Sequence, residues 1–212
     1  MAAGEGLRMR PLTNVTPKPM LDVQGKTLLS HQIDFLKNHV DSIAVTVGYM
    51  FDKVAACALE NGAHYIFNNG NGANANWLNS TLVREIDTQI LVITCDNLME
   101  VDLNHIERES LATPRLNYLV TRECGSEIKG DRIIQTDGQV DAVSPLSDSK
   151  TLATGLQVIN PGTLHSNVKF TSFHEVWSEL IVSKSLLVSE SHPIKWTAID
   201  TPLDLENANK GW

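Results

Sequence analysis

Two glycines around a single residue and three cations fall inside one short stretch, Ala2-Ala3-Gly4-Glu5-Gly6-Leu7-Arg8-Met9-Arg10-Pro11-Leu12-Thr13, followed by Thr16-Pro17-Lys18-Pro19-Met20-Leu21. Glycines so placed let the backbone turn tightly and present bare N–H groups, and with Arg8, Arg10 and Lys18 close by the combination suits a polyphosphate. The glycines are not spaced G-x-G-x-x-G and no Gly-Lys-Ser/Thr follows, so this is neither a dinucleotide fingerprint nor a Walker loop. The alternative is a solvated basic loop. Further on, Asp96 ends the apolar run Gln89 to Thr94; in open α/β sheets ligands sit outside the carboxyl ends of strands, so a carboxylate there is well placed for chemistry, or else it caps the next turn. Between the two lies an asparagine-rich segment, Asn68, Asn69, Asn71, Asn74, Asn76 and Asn79 with Gly70 and Gly72 among them. It is either a polar turn-rich loop or a set of amides that supply donors and acceptors to a base or ribose.

These residues need elements to hold them. Apolar spacing predicts a helix from Leu28 to Asn38, a β-branched strand over Ser42 to Val47, and a helix from Asp52 to Asn61 stopped by Gly62. Strands follow at His64 to Phe67, Gln89 to Thr94 and Leu116 to Arg122, with helices over Ser80 to Ile86 and Asp102 to Leu111. Asp137-Gly138 marks a β-hairpin turn after Ile133-Ile134. A helix from Phe173 to Ile181 and a last helix opening at Thr201-Pro202 complete the chain. Alternation of this kind is that of an α/β sandwich with a largely parallel sheet.

Bulk properties narrow the function. The 212 residues suit one domain, 1–212. A formal charge of -8, from 25 acids against 17 bases, argues against a general nucleic-acid or anionic-membrane binder. Cys57, Cys95 and Cys124 lack C-x-x-C spacing, so neither a disulfide framework nor a zinc site is implied, and a reducing cytoplasm is the expected location. No apolar run reaches membrane-spanning length and no signal-peptide core is present, so membrane insertion is not expected.

The segment Ala2 to Leu21 resembles the signature loop of the sugar-1-phosphate nucleotidylyltransferases, A-A-G-x-G-x-R-M-x-P-L-T and then T-P-K-P. Phe67-Asn68, Asn76, Trp77, Leu82-Val83-Arg84-Glu85 and Asp96-Asn97 are similar to the bacterial choline-phosphate cytidylyltransferase branch. Thr154-Gly155-Leu156-Gln157-Val158-Ile159-Asn160-Pro161 and the closing Trp196-Thr197-Ala198-Ile199-Asp200-Thr201-Pro202-Leu203-Asp204-Leu205 resemble two further family segments. The resemblance implies a three-layer αβα sandwich with a mostly parallel Rossmann-like sheet and a small β-hairpin insertion. It implies magnesium held by Asp96 and Asp200, with Arg8 and Lys18 as the catalytic cations. Ala2, Ala3, Gly4, Gly6, Asn68 and Asn76 would bind the nucleotide, and Gly155, Lys129 and Glu175 the acceptor. The implied partners are a nucleoside triphosphate, CTP or UTP favoured, and a sugar 1-phosphate or phosphocholine-like acceptor, in the activation chemistry of cell-envelope biosynthesis.

Each of these roles has a plainer alternative in the residues. Asp200 also fits an N-cap and Gly155 a strand bulge; Lys129 or Arg132 either meets the acceptor phosphate or faces solvent, and His174 and Glu175 either reach the acceptor or merely flank the apolar, core-packed face of their helix. Family members run through an apolar strand into A-A-G, whereas Met1 stands directly before Ala2, so either the start is misplaced or truncated or the sheet lacks its expected first strand. Its loss, with Ala198 where an acid is common, motivates a second reading, a catalytically inactive nucleotide-binding regulatory domain.

Overall fold

Helices and strands alternate along the chain much as the apolar spacing requires. The computed structural model describes residues 1–70 and 74–212, so Asn71 and Gly72 of the asparagine-rich segment lie outside the described residues. Three short 3-10 turns, Leu7–Met9, Leu12–Asn14 and Lys18–Met20, carry the N-terminal loop. The first half continues with β1 (Asp22–Val23), β2 (Lys26–Thr27), α1 (Leu28–Leu36), β3 (Ala44–Val47), α2 (Phe51–Glu60), β4 (Tyr65–Asn68), α3 (Thr81–Arg84), β5 (Ile90–Ile93) and β6 (Asn97–Glu100). The second half holds α4 (Leu103–Ala112), β7 (Asn117–Glu123), β8 (Arg132–Thr136), β9 (Gln139–Ser144), β10 (Thr151–Ile159), α5 (Phe173–Val182), β11 (Leu186–Val188), β12 (Lys195–Ala198) and α6 (Pro202–Gly211). No helix among the described residues is long and apolar enough to cross a membrane.

Two compact units divide these elements. The first comprises Met1–Trp77, Ile93–Met99 and Trp196–Trp212. Within it β3 and β4 run parallel, and Ala2 forms a parallel bridge to Val47. The Ala2 N–H donates to the Thr46 carbonyl at 2.9 Å, the Tyr49 N–H to Ala3 at 3.0 Å, and the Cys95 N–H to the Met1 carbonyl at 3.1 Å. Met1 to Ala3 therefore lie between β3 and the segment 93–95 and hand the chain directly to the glycine turn. Beneath the loop, Met9, Leu21, Val23, Leu28, Leu98 and Ile199 form one buried cluster with Ala208 of α6. Met9 follows Arg8, Leu98 lies two residues beyond Asp96, and Ile199 precedes Asp200. One apolar patch thus sets the height of three polar side chains, because close packing leaves each backbone little freedom to shift.

The second unit, Leu78–Val92 and Glu100–Lys195, is built on a mixed sheet of six strands in the order β5-β10-β7-β11-β9-β8. β10 is antiparallel to β7, β8 antiparallel to β9, and β11 parallel to β7. The β8–β9 hairpin turns at Asp137 and Gly138, both with positive φ (49° and 82°), the geometry that Asp-Gly favours. α5 is closed by a capping box in which Ser172 and Glu175 satisfy each other's backbone N–H groups.

One glycine of the first unit is held by a close approach of backbones. A Cβ on Gly48, just after β3, would stand 2.7 Å from both the Ala3 and Gly70 carbonyl oxygens. Gly48→Ala is therefore expected to destabilise the protein by about 1–3 kcal/mol through overpacking. Urea unfolding checks this, as a lower midpoint at unchanged slope.

Candidate functional site

The loop's cations and the two distant carboxylates meet within the first unit. Pro17 and Pro19 flank Lys18 in the turn Lys18–Met20, whose ends close through the Met20 N–H on the Pro17 carbonyl at 2.8 Å and the Leu21 N–H on the Lys18 carbonyl at 3.1 Å. With proline fixing φ on both sides, the backbone aims the lysine stem inward. Its Nζ donates to Asp96 Oδ2 at 2.8 Å and to Asp200 Oδ1 at 3.0 Å. The Arg8 guanidinium donates to the same Asp200 oxygen at 2.8 Å. The Lys18 side chain is only 10% exposed, against 29% for Asp96 and 26% for Asp200 and 67% for Arg8. The ammonium is thus the buried centre of the cluster and the guanidinium its outer edge.

Local structure explains why each carboxylate is available. Asp96 lies in the turn between β5 and β6, where the Asn97 amide donates to its Oδ1 at 3.0 Å, so one oxygen is steadied and the other faces Lys18. Gln32 in turn holds the Asn97 carbonyl at 2.6 Å. Asp200 does not cap α6. Thr201 does, in a capping box with Asp204, and the Asp200 N–H donates to Asp204 at 3.1 Å. The N-cap alternative for Asp200 is set aside on that ground, and its carboxylate turns toward Lys18 and Arg8.

Electrostatics follow from the geometry. Burial pushes the Asp96 carboxyl up, but the charge and hydrogen bond of Lys18, with the Thr94 hydroxyl, outweigh it and hold the group below its ordinary value. Burial likewise pulls Lys18 down, and Asp96 and Asp200 together outweigh that and raise it. Both groups are therefore ionised across the neutral range. The Cys95 thiol next door is pushed up to about 12 by burial and by Asp96, and stays a neutral packing group.

The two glycines of the turn differ. Gly6 has φ 63°, and a Cβ there would press on Lys18 Cβ at 3.0 Å and Thr13 Cγ2 at 3.1 Å. The Thr13 hydroxyl donates to the Gly6 carbonyl at 2.9 Å, and the Tyr49 hydroxyl donates to the Thr13 carbonyl at 3.0 Å. A Cβ on Gly4 would meet nothing within 4 Å. Gly6 is required by the fold, whereas the bare face of Gly4 opens onto free space. Tyr49 and Gly48 are supports that sequence reasoning missed, since no charge or spacing sets them apart, and Thr13, though part of the signature loop, has no role legible there.

Two carboxylates converging within 3.0 Å of one positive nitrogen make an oxygen-rich position already shaped around a cation. That donor set suits a hard divalent ion such as magnesium, which takes one or two carboxylates and completes its shell with water and phosphate.

The remaining expected residues lie in various settings. Ala2 is buried in its bridge to Val47, with Ala3 beside it. Asn68 ends β4 and accepts the Gly70 N–H at 2.8 Å, and Asn76 opens a 3-10 turn, Asn76–Asn79. Asn79 is structural: its amide both donates to and accepts from the Phe170 backbone, at 2.7 and 2.9 Å. In the second unit Gly155 has φ 83° at a register shift in β10, so the bulge alone already calls for glycine. The Glu175 carboxylate is engaged by the Thr171 and Ser172 N–H groups, which hold it below the usual carboxylate range. Lys129 is exposed. Arg132 is neither solvent-facing nor open to a phosphate: it is 4% exposed and its guanidinium donates to the carbonyls of Cys124, Gly125, Ile128 and Ser149.

Comparison with known proteins places the chain in a family. Residues 1–109 match the model of the MobA-like NTP transferase domain. The chain belongs to that family. Curated relatives include a choline-phosphate cytidylyltransferase of Streptococcus pneumoniae, 34% identical over 47% of this chain and 44% of that protein. Another is an N-acetylmuramate alpha-1-phosphate uridylyltransferase of Caulobacter vibrioides, 47% identical over 26% of this chain and 24% of that protein. These matches span less than half the length of either relative. Among solved structures, the CTP:phosphocholine cytidylyltransferase of Streptococcus pneumoniae superposes with a TM-score of 0.73 at 20% identity, covering 99% of this chain and 95% of that one. An inositol-1-phosphate CTP transferase of T. maritima gives 0.74 at 16% identity, covering 99% and 94%. The chain therefore has the α/β nucleotidyltransferase fold.

The contrast between the glycines is measurable in the family's loop. Gly4→Ala is expected to leave stability within about 0.5 kcal/mol, as at other open surface positions. Gly6→Ala forces a side chain into left-handed backbone and is expected to cost about 1–2 kcal/mol or more. Parallel denaturant titrations of the two variants check both.

Proposed function

We propose that the chain is a magnesium-dependent nucleotidylyltransferase. It would transfer a nucleoside monophosphate from a nucleoside triphosphate to a small phosphorylated acceptor and release pyrophosphate. The observation that carries the reading is the single Lys18 ammonium within 3.0 Å of both Asp96 and Asp200, beside a glycine turn whose Gly4 face is open. The cytidylyltransferase and uridylyltransferase relatives favour CTP or UTP, with a phosphocholine-like alcohol or a sugar 1-phosphate as acceptor. On the same grounds we infer a three-layer αβα sandwich with a mostly parallel Rossmann-like sheet. The parallel β3–β4 pair and the Ala2 bridge support that arrangement. A place in cell-envelope precursor activation fits such products, and free thiols at Cys57, Cys95 and Cys124 fit a reducing cytoplasm.

The chemistry follows from charge. A phosphate oxygen of the acceptor attacks the α-phosphorus in line, the bond from that phosphorus to the bridging oxygen breaks, and pyrophosphate carries away the electron pair. The acceptor phosphate is already ionised near neutral pH, so no general base is required. Positioning and charge neutralisation then supply most of the acceleration. Asp96 and Asp200 would hold the magnesium ion, which would neutralise phosphate charge at the reacting centre. Arg8 and Lys18 take the negative charge that grows on the leaving pyrophosphate, and N–H groups at Gly4 and Gly6 orient the phosphates. Ala2 and Ala3 lead the backbone to them, and Asn68 and Asn76 lie on the segment suited to the base. In the second unit Gly155, Lys129 and Glu175 are the acceptor candidates.

Pyrophosphate release assayed with each of the four triphosphates against sugar 1-phosphates and phosphocholine tests this. One triphosphate, CTP or UTP, is expected to give magnesium-dependent turnover. Asp96→Asn and Asp200→Asn are each expected to lower kcat roughly 10²–10³-fold, the usual loss when one stabilising charge contact is removed. Gly4→Ala is expected to raise KM for the triphosphate with the fold intact. Nucleotide binding without turnover on any pair would overturn the enzymatic reading.

A further inference from the structure

The resting site has a charge balance that bears on how a metal enters it. Two cations, Arg8 and Lys18, are paired with two carboxylates, Asp96 and Asp200, so the cluster is neutral as it stands. A divalent ion added to the same oxygens would raise the local charge to about +2 and bring it against a 10%-exposed ammonium. We infer that Lys18 is a built-in placeholder: its Nζ fills the position between Asp96 and Asp200 that a divalent cation takes, and must leave those carboxylates for the ion to bind. This rests on the proposed role of the two aspartates as the metal pair.

The lysine is built for such an exchange. Pro17 and Pro19 hold its backbone, while the four-carbon stem beyond Cα remains a flexible tether for a point charge. The stem lies against the phosphate turn: a Cβ on Gly6 would stand 3.0 Å from Lys18 Cβ and 3.5 Å from its Cδ. An ammonium that leaves the carboxylates therefore has the N–H-bearing turn beside it, where a triphosphate would accept its charge. Metal and polyphosphate consequently favour each other's binding, because each removes the cost of unpairing that the other imposes. The metal alone binds poorly, since it must first strand the ammonium in a largely buried setting.

Titration of Mn2+ alone into the nucleotide-free full chain, with free Mn2+ read by electron paramagnetic resonance, tests the exchange. Lys18→Met and Lys18→Gln are each expected to bind Mn2+ about tenfold or more tightly than the wild type, within the usual range of site coupling. Mn2+ is also expected to raise the unfolding temperature of both variants by more than it raises that of the wild type. Equal or weaker affinity in the variants, or no measurable binding in any of the proteins, overturns the inference. So does a gain that persists when Asp96→Asn is added to Lys18→Met, since the ion would then lie elsewhere. Should neither variant fold, the side-chain resonances of Lys18 in the wild type decide: a shift on saturation with Mg2+ supports the exchange, and unchanged resonances sink it. Turnover in the pyrophosphate assay without a Mn2+ gain defeats the placeholder alone, whereas a Mn2+ gain without turnover defeats the enzymatic reading alone.

Discussion

A buried ammonium shared by two carboxylates is the constraint on which the site depends. Taking Lys18 out of water is unfavourable by several kcal/mol, and only close, well-directed acceptors offset that. Asp96 and Asp200, 78 and 182 residues away in sequence, meet this need with contacts of 2.8 and 3.0 Å. Removing one partner of such a triad strands the remainder, at a cost of up to about 3–5 kcal/mol for a fully buried pair and less here, where the carboxylates are partly solvated. The polar cluster of the proposed site therefore also registers the loop against the chain segments that deliver the aspartates.

Beneath that cluster the registration is hydrophobic. Met9, Leu98 and Ile199 belong to one buried core, each within two residues of a charged member of the site. Tyr49, Thr13 and Gly48 complete the support from the side of β3, by hydrogen bonds and by a backbone approach that no side chain could share. The loop is thus held from below by packing, from the side by hydrogen bonds and from within by charge. Its open face at Gly4 is the exception.

The second unit shows how often a chemically suggestive residue serves the fold. Arg132 is a cation in a hairpin region, yet its guanidinium gathers loop carbonyls. Glu175 closes a capping box, His174 pairs with Asp131 at 2.9 Å, and Trp177 donates to Gln157 at 2.8 Å. Buried polar atoms must find partners, and in a small unit the nearest donors and acceptors are those of neighbouring loops and helix ends.

Periodicity located most elements within a few residues: the helix at Leu28, the helix stopped before Gly62, the strand that delivers Asp96 and the Asp137-Gly138 hairpin are all local patterns written in adjacent residues. Short pieces escaped it, notably β6 and β12, which owe their extended form to each other and to no pattern of their own. The sequence by itself determined the chemistry on offer, because a glycine turn with Arg8 and Lys18 and a carboxylate, Asp96, at the end of a strand are legible as residue types at fixed positions, while Asp200 stands out only through the resemblance of its segment to a family pattern. Only tertiary structure decided which of those groups meet. Whether Asp200 caps a helix or faces Lys18, and whether Arg132 faces a ligand or a loop carbonyl, depends on contacts between segments far apart in the chain, and no local spacing encodes them.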